Sequence, residues 1–180
     1  MNFKTFLETA PEFSSLSARD IDDFEHIMRV NTYPDGHEFF KEGTGGHDVY
    51  LIIDGEVSVT HKKGIERGSF EIGLLKAGEM FGLLSAITDL KHEATCYAAG
   101  PVVAASMPNQ AFKLLFGSNS ALGLHFQSYI TSQLARDYSS LINLLRTALS
   151  AKNDEESRII FSSYNDNISK NATKQRPPVH

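Results

Sequence analysis

The chain has 180 residues and a formal net charge of −5, from 17 basic and 22 acidic side chains. This length favours one domain with appendages, and the acidic balance disfavours a nucleic-acid surface, which needs clustered lysine and arginine. The single cysteine, Cys96, excludes an internal disulfide and a thiolate zinc cluster.

No apolar run has the length expected of a membrane span, and the first residues do not have the pattern of a secretory signal. We therefore expect a soluble chain in the reducing cytoplasm. The sequence shows no internal repeat, and its composition divides it into four segments.

The first segment, residues 1–30, is predicted to be helical. Ser17 and Asp20 have the spacing of a capping box, in which each side chain satisfies a backbone amide at the helix start. The apolar positions that follow recur at helical spacing: Ile21, Phe24, Ile27 and Met28.

The second segment, residues 31–116, is rich in short apolar strands separated by glycine. Residues 49–53 form a continuous apolar run, which predicts a strand buried on both faces or nearly so. Asp54-Gly55 predicts a two-residue hairpin after it, and residues 62–68 predict a polar hairpin tip. The alternation of Phe70, Ile72 and Leu74 with polar or small residues predicts a half-buried strand.

Further strands are predicted at residues 94–98 and 102–107, followed by a short helix that begins after Pro108 and ends at Gly117. Many short strands with glycine turns are typical of a sandwich or a jelly-roll barrel.

In the third segment, residues 117–150, Asn119 is predicted to cap one long helix. Its apolar side chains form a continuous stripe that is longer than a small barrel needs: Leu122, Phe126, Ile130, Leu134, Tyr138, Leu141, Leu145 and Leu149. We expect residues 119–150 to pair two subunits into a homodimer; the alternative is a helix that folds back as core.

The fourth segment, residues 151–180, is polar and is predicted to be largely disordered. Residues 159–164 interrupt it with apolar side chains, which could form a docking segment or a short helix.

Six short motifs follow one another in the β-rich segment: Tyr33–Gly36, Phe40–Gly43, Gly46–Ile52, Gly55–Val57, Leu75–Glu79 and Phe81–Gly82. With the motifs in this order, the chain resembles a cyclic nucleotide-binding domain, which is the sensor of cyclic-AMP receptor proteins, kinase regulatory subunits and gated channels. The resemblance covers residues 13–116, and the long helix matches the dimer helix of the bacterial receptor proteins. It implies a mainly β fold, a double-stranded β-helix (jelly roll), with N-terminal helices and a long C-terminal helix.

The resemblance also implies a ligand site. In the family pattern, amides after a glycine meet the cyclic phosphate, a glutamate accepts from the ribose hydroxyl, and an arginine pairs with the phosphate. The matching positions here are Gly82, Leu83 in place of the glutamate, and His92 in place of the arginine. The ligand-binding residues predicted in this way are Gly82, Leu83, Leu84, Ser85, Lys91, His92, Glu93, Ala94 and Thr95.

Leucine accepts no hydrogen bond, and histidine lacks the planar fork of arginine. The loss of two charge-assisted hydrogen bonds, each about 1.5–3 kcal/mol, corresponds to roughly a hundredfold to ten-thousandfold in affinity. Glu93 places a negative charge beside the phosphate position, and Lys91 could recover part of the loss. If His92 contacts a phosphate, binding should strengthen as the pH falls toward about 6.

Three functions remain open on these residues. The chain could bind cyclic AMP or cyclic GMP weakly, it could sense a different and less anionic metabolite, or it could be a degenerate, ligand-free dimeric interaction domain. In each case it is a non-enzymatic regulatory module in signal transduction, which would act on an effector protein.

Enzymatic and DNA-binding functions are disfavoured. Among the seven histidines, no two have the spacing of a metal site, and no catalytic triad can be identified, so no metal or other cofactor is expected. The residues after Ser150 lack a second amphipathic helix with a basic face, so we expect no helix-turn-helix and no direct DNA binding.

Overall fold

The computed structural model of the chain describes residues 2–46, 48–62 and 68–151. Helix α1 (Phe3–Thr9), a single 3-10 turn (Pro11–Phe13) and helix α2 (Ala18–Ile27) form the N-terminal part. The capping box is confirmed, because the Ser17 side chain accepts from the Asp20 amide and the Asp20 carboxylate accepts from the Ser17 amide. Of the predicted apolar face, Ile21 and Phe24 of α2 and its C-cap Met28 are buried, and Ile27 is half-buried.

Eight strands follow within the described residues: β1 (Arg29–Tyr33), β2 (Glu38–Phe40), β3 (Asp48–Asp54), β4 (Val57–Lys62), β5 (Ser69–Leu75), β6 (Met80–Phe81), β7 (Thr95–Ala98) and β8 (Val102–Pro108). They form two antiparallel sheets in the orders β1-β8-β3-β6 and β2-β7-β4-β5. This arrangement, with helices on either side in the sequence, confirms the predicted jelly-roll class.

The core between the strands is assembled from small and branched side chains. Val49, Leu51, Ile52 and Ile53 are buried, which confirms β3 as a strand that is apolar on both faces. One cluster combines residues of both sheets: Ile52, Val57, Phe81, Cys96, Ala98, Val102 and Ala104. Phe39, Phe40 and Tyr50 pack against this cluster while remaining half-buried.

The hairpin predicted at Asp54-Gly55 is wrong. Strands β3 and β4, which flank it, belong to different sheets, so the chain turns a corner of the barrel there. Gly55 has φ +89°, and a Cβ at this position would lie 2.4 Å from the Pro101 carbonyl oxygen. The glycine is therefore explained by a left-handed backbone and a close approach between chain segments, rather than by strand pairing.

The strand predicted around Phe70 is confirmed as β5, but the prediction that it is half-buried is wrong. Strand β5 pairs antiparallel with β4 along its length, but it lies at the edge of its sheet. Residues 63–67 of the predicted 62–68 hairpin tip lie outside the described residues. Phe70, Ile72 and Leu74 are each exposed by 40% or more. Alternation indicates a strand correctly, but whether a face is covered depends on what packs against it.

Three helices complete the described chain: α3 (Leu83–Thr88), α4 (Asn109–Phe116) and α5 (Ala121–Ala151). The predicted start and end of α4 are confirmed, with Gly117 as its C-cap. The cap predicted at Asn119 is wrong by one residue, because the Ser120 hydroxyl accepts the hydrogen bond from the Gly123 amide.

The chain divides into two compact units, of which the first ends at Gln133 and the second begins at Leu134. In the first unit, Leu122, Phe126 and Ile130 of α5 are buried. In the second unit, the apolar side chains described on α5 include three that are exposed: Tyr138, Leu141 and Leu145. The predicted disordered segment begins at residue 151, but Ala151 is the last residue of α5. Its remaining residues, 152–180, which include the apolar stretch 159–164, lie outside the described residues.

Candidate functional site

Gly82 joins β6 to α3 and gives the candidate site its shape. It caps α3 with φ +83° and ψ 0°, and a Cβ there would lie 2.9 Å from the Asp48 carbonyl oxygen. Both the left-handed backbone and the close approach to β3 require glycine. The Gly82 carbonyl oxygen accepts from the Ser85 hydroxyl at 3.0 Å and from the Ala86 amide at 3.3 Å.

The residues after Gly82 alternate between core and solvent. Leu83 and Ser85 are buried, whereas Leu84 is 51% exposed. The first-turn amides of a helix have no acceptor within the helix, so the backbone element that the family pattern uses for a phosphate is present. At Leu83, an apolar side chain is buried where that pattern places a ribose acceptor.

His92 is held in place by its ring and its backbone. Its imidazole lies parallel to the Phe40 ring, with centroids 3.8 Å apart and an interplanar angle of 7°. The His92 amide donates to the Thr44 carbonyl oxygen at 2.9 Å, and the His92 carbonyl oxygen accepts from the Gly43 amide at 2.8 Å. The side chain is buried, and the 43–44 turn is tied to its backbone.

Gly46 brings Ser85 and His92 together. A Cβ built on Gly46 would lie 2.6 Å from the Ser85 hydroxyl oxygen and 3.2 Å from His92 Cε1. The chain after the 43–44 turn therefore passes close to both predicted site residues, and a side chain at position 46 would require Ser85 or His92 to shift.

The remaining predicted residues are more dispersed. Lys91 and Glu93 are exposed, and Ala94 and Thr95 are half-buried. The Glu93 carbonyl oxygen accepts from His61 Nδ1 at 2.9 Å, on the assumption that this nitrogen carries the proton. Thr95 lies in β7, where its hydroxyl accepts from the Glu42 amide at 3.0 Å. The structure thus brings Ser85 and His92 together and leaves Lys91, Glu93 and Leu84 facing solvent.

A cleft of about 320 Å³ opens beside His92. Its lining comes from β2, the turn after it, β3 and the predicted site: Glu38, Phe39, Phe40, Lys41, Thr44, Gly45, Asp48, Tyr50 and His92. His92 is the one residue of the nine predicted from the sequence that lines this cleft. Residues 38–41 and 48–50 contribute aromatic and acidic side chains to the cleft, but the pocket pattern of the family covers residues 81–95 only.

The rings of the cleft pack on one another in fixed orientations. Phe39 meets Tyr50 edge-on at a centroid distance of 5.1 Å, and it meets Phe81 edge-on at 5.0 Å. Tyr50 stacks on Phe81 at 4.9 Å with an interplanar angle of 13°. Edge-on and stacked pairs are the favoured aromatic arrangements, so Phe39 and Tyr50 form a wall of the cleft that packs on Phe81.

Burial and the charge of Asp48 both affect the tyrosine phenols beside the cleft. Burial raises the pKa of the Tyr50 phenol to about 12, and the negative charge of Asp48 is the next cause. The pKa of Tyr33 is also raised, first by burial and to a lesser extent by Asp48. A carboxylate that disfavours phenolate in the cleft also disfavours any other anion placed there.

Two side chains of α5 hold the strand that leads into Gly82. Gln133 is 2% exposed; its Oε1 accepts from the Met80 amide at 2.8 Å and its Nε2 donates to the Met80 carbonyl oxygen at 2.7 Å. The Tyr129 hydroxyl donates to the Gly78 carbonyl oxygen. Because β6 lies at the edge of its sheet, the amide of Gln133 supplies the partner that a further strand would provide.

In the described parts of the chain, no group of three or more histidine, cysteine, aspartate or glutamate side chains is arranged to hold a metal ion. Within residues 2–46, 48–62 and 68–151, no helix combines the length and the hydropathy needed to cross a lipid bilayer.

Comparison with known proteins gives a family match over half of the chain. A family model described as "cyclic nucleotide-binding domain" matches residues 30–119. The cAMP-dependent protein kinase regulatory subunit of Pyricularia oryzae is 31% identical over 115 residues, which cover 64% of this chain and 28% of that protein. The chain spans about a quarter of the length of the curated relatives it matches.

Solved structures share the fold. A cyclic nucleotide-binding domain from Methylobacillus flagellatus superposes with a TM-score of 0.70 at 21% identity, covering 85% of this chain and 84% of that one. The regulatory subunit of a cAMP-independent protein kinase A from Trypanosoma cruzi, bound to guanosine, gives a TM-score of 0.57 at 16% identity, covering 72% and 50%.

Proposed function

The chain belongs to the cyclic nucleotide-binding domain family, and on this premise we propose that it is a non-enzymatic regulatory module that senses cyclic AMP or a related ligand weakly. The observation that carries the proposal is the family match over residues 30–119. This range includes strands β2 to β8 and the whole 82–95 segment. The Pyricularia oryzae relative is a regulatory subunit, which supports a regulatory role.

The proposed ligand-binding residues are those of the 82–95 segment: Gly82, Leu83, Leu84, Ser85, Lys91, His92, Glu93, Ala94 and Thr95. The glycine cap and the first-turn amides of α3 would meet the phosphate. Two side chains would make the binding weak. Leu83 offers no acceptor for the ribose hydroxyl, and His92, whose ring is stacked on Phe40, lacks the bidentate guanidinium that arginine offers a phosphate. The two missing charge-assisted hydrogen bonds correspond to about 3–6 kcal/mol.

Two alternatives have specific support. The buried Leu83 supports a site that has lost its ligand and serves protein contacts. The acidic cleft beside His92 supports a different small metabolite, and the Trypanosoma cruzi structure of this fold is bound to guanosine, a nucleoside without a phosphate.

We propose that residues 119–150 pair two copies of the chain into a homodimer that passes its signal to an effector protein. The exposed side chains of Tyr138, Leu141 and Leu145 lie at helical spacing on the second unit of the chain. The proposed division is an N-terminal helical segment (1–30), a ligand-sensing barrel (31–116), a dimer helix (117–150) and a polar tail (151–180).

Calorimetric titration with cyclic AMP and cyclic GMP tests the sensing function. We expect weak binding by the native chain and binding at least about a hundredfold tighter by the double variant Leu83→Glu, His92→Arg, which restores both family side chains. The control is Leu114→Glu, Lys76→Arg, which places the same acid and guanidinium on exposed positions outside the 82–95 segment.

The control variant should bind no more tightly than the native chain. Circular dichroism establishes that each variant is folded, and the single variant His92→Arg serves where a buried glutamate prevents folding. Tight binding by the native chain, or a folded restored variant with no gain, would contradict the proposal.

A further inference from the structure

The cleft beside His92 is walled by four ring side chains. Phe39 and Tyr50 meet edge-on, and Phe40 and His92 lie parallel in contact. Aromatic side chains of this kind hold planar nitrogen bases by stacking, and they do so for every base because each has a π-face. A volume of about 320 Å³ is near the lower end of the roughly 300–1,000 Å³ found for small-molecule sites.

The charges in the cleft select against a phosphate. Glu38 and Asp48 contribute two carboxylates, and Lys41 contributes one ammonium group. Ionised carboxylates only accept hydrogen bonds, so they repel the oxygens of a cyclic phosphate and pair with hydroxyl and amino donors. The pKa of Tyr50, which also lines the cleft, is raised first by burial and then by the negative charge of Asp48.

The turn beside the cleft is hydrogen-bonded to His92. The Thr44 carbonyl oxygen accepts from the His92 amide, and the Thr44 hydroxyl donates to the Lys41 carbonyl oxygen at 2.6 Å. The 41–46 chain is thereby fixed against His92 and Ser85, with Gly46 in close approach to both. His92, which stands at the arginine position of the family pattern, therefore has its backbone bonded to this turn and its ring packed on Phe40.

We propose that this cleft binds a purine nucleoside without a phosphate, in preference to a cyclic nucleotide. The base would stack against the ring wall, and the ribose hydroxyl and base amino groups would donate to Glu38 and Asp48. The inference rests on the proposed function, since family membership supplies the expectation of a purine ligand, and it adds the class of ligand and a second set of contact residues.

The test is calorimetric titration of the full chain with adenosine, guanosine, cyclic AMP and cyclic GMP. We expect at least one nucleoside to bind about tenfold or more tightly than its own cyclic monophosphate. The variants Glu38→Gln and Asp48→Asn should each weaken nucleoside binding about fivefold or more and reduce the preference over the cyclic form.

Asp54→Asn is the matched control, because Asp54 lies exposed at the other end of β3 and its replacement changes the net charge equally. It should leave nucleoside affinity unchanged. Equal effects of Asp48→Asn and Asp54→Asn, cyclic nucleotides bound as tightly as nucleosides, or no nucleoside binding by the folded native chain would each overturn the cleft assignment.

The two proposals fail separately. If cyclic nucleotides bind weakly to the native chain and tightly to Leu83→Glu, His92→Arg, while nucleosides bind to neither, the sensing function stands and the cleft assignment is wrong. If nucleosides bind through Asp48 and the restored variant gains no cyclic-nucleotide binding, the cleft assignment stands and the 82–95 site is wrong.

Discussion

Replacing Gln133 with leucine is predicted to destabilise the first unit of the chain. Gln133 is almost completely buried, and its amide group bonds both the amide and the carbonyl oxygen of Met80. Leucine has a similar size but no polar atom, so both backbone groups of Met80, itself 2% exposed, would lose their partner. The Tyr129 hydroxyl lies 3.4 Å from Gln133 Oε1 and is already directed to Gly78.

Each unsatisfied buried polar group costs about 1–3 kcal/mol. The added apolar burial of leucine offsets a part of this cost, so we expect the free energy of unfolding to fall by about 2–4 kcal/mol. Because Met80 and Phe81 lead directly to Gly82, the amides at the start of α3 should also exchange their hydrogens faster in the variant.

The assay is urea unfolding followed by far-ultraviolet circular dichroism, since the chain has no tryptophan. Gln127→Leu is the matched control on the same helix. Gln127 donates to the carbonyl oxygens of Phe116 and Ser118 at 2.6 and 3.2 Å, but all three residues are half-buried and water can replace the lost bonds. We expect the control to cost about 1 kcal/mol or less.

Equal losses in the two variants would refute the reasoning, because burial of the Met80 groups would then make no difference. A loss below about 1 kcal/mol in Gln133→Leu would show that the edge of β6 finds another partner. A change in the denaturant slope would indicate loss of two-state unfolding, and hydrogen exchange would then replace the denaturant measurement.

Three further predictions concern the corner of the barrel, the buried thiol and the dimer. In denaturant unfolding, Gly55→Ala should destabilise the chain more than Gly36→Ala. Both glycines have positive φ, but a Cβ at Gly55 would lie 2.4 Å from the Pro101 carbonyl oxygen, whereas one at Gly36 would meet nothing within 4 Å. Equal losses of unfolding free energy in the two variants would contradict the steric argument. Burial raises the pKa of the Cys96 thiol from 9.0 to about 12, so the protonated thiol contributes fully to the stability of the fold below pH 9 and loses this contribution as the pH rises toward 12. Between pH 9 and 12 the free energy of unfolding should therefore fall less steeply for Cys96→Ala than for the native chain. Equal slopes for the two proteins would contradict the raised pKa of Cys96. The double variant Leu141→Glu, Leu145→Glu should halve the mass measured by light scattering. The double variant Leu114→Glu, Leu124→Glu, which replaces two other exposed leucines, should leave the mass unchanged. A dimeric mass in the first variant would exclude Leu141 and Leu145 from the dimer interface.

Local rules were sufficient where neighbouring residues decide the structure. The capping box at Ser17, the buried strand at 49–53 and the glycine end of α4 were predicted correctly, because each depends on side chains within a few positions of one another. The family resemblance rested on the order of glycine motifs, and it is shown by the match over residues 30–119.

The tertiary structure decided everything that depends on distant partners. Asp54-Gly55 has the local pattern of a hairpin, but Pro101 and the assignment of β3 and β4 to separate sheets make it a barrel corner. The cleft could not be identified from residues 81–95, because its wall joins Phe39 and Tyr50 to His92 across more than forty positions of sequence. Such residues come together only when the intervening chain closes into a loop on folding. A pattern in one short segment does not indicate which distant segment will pack against it.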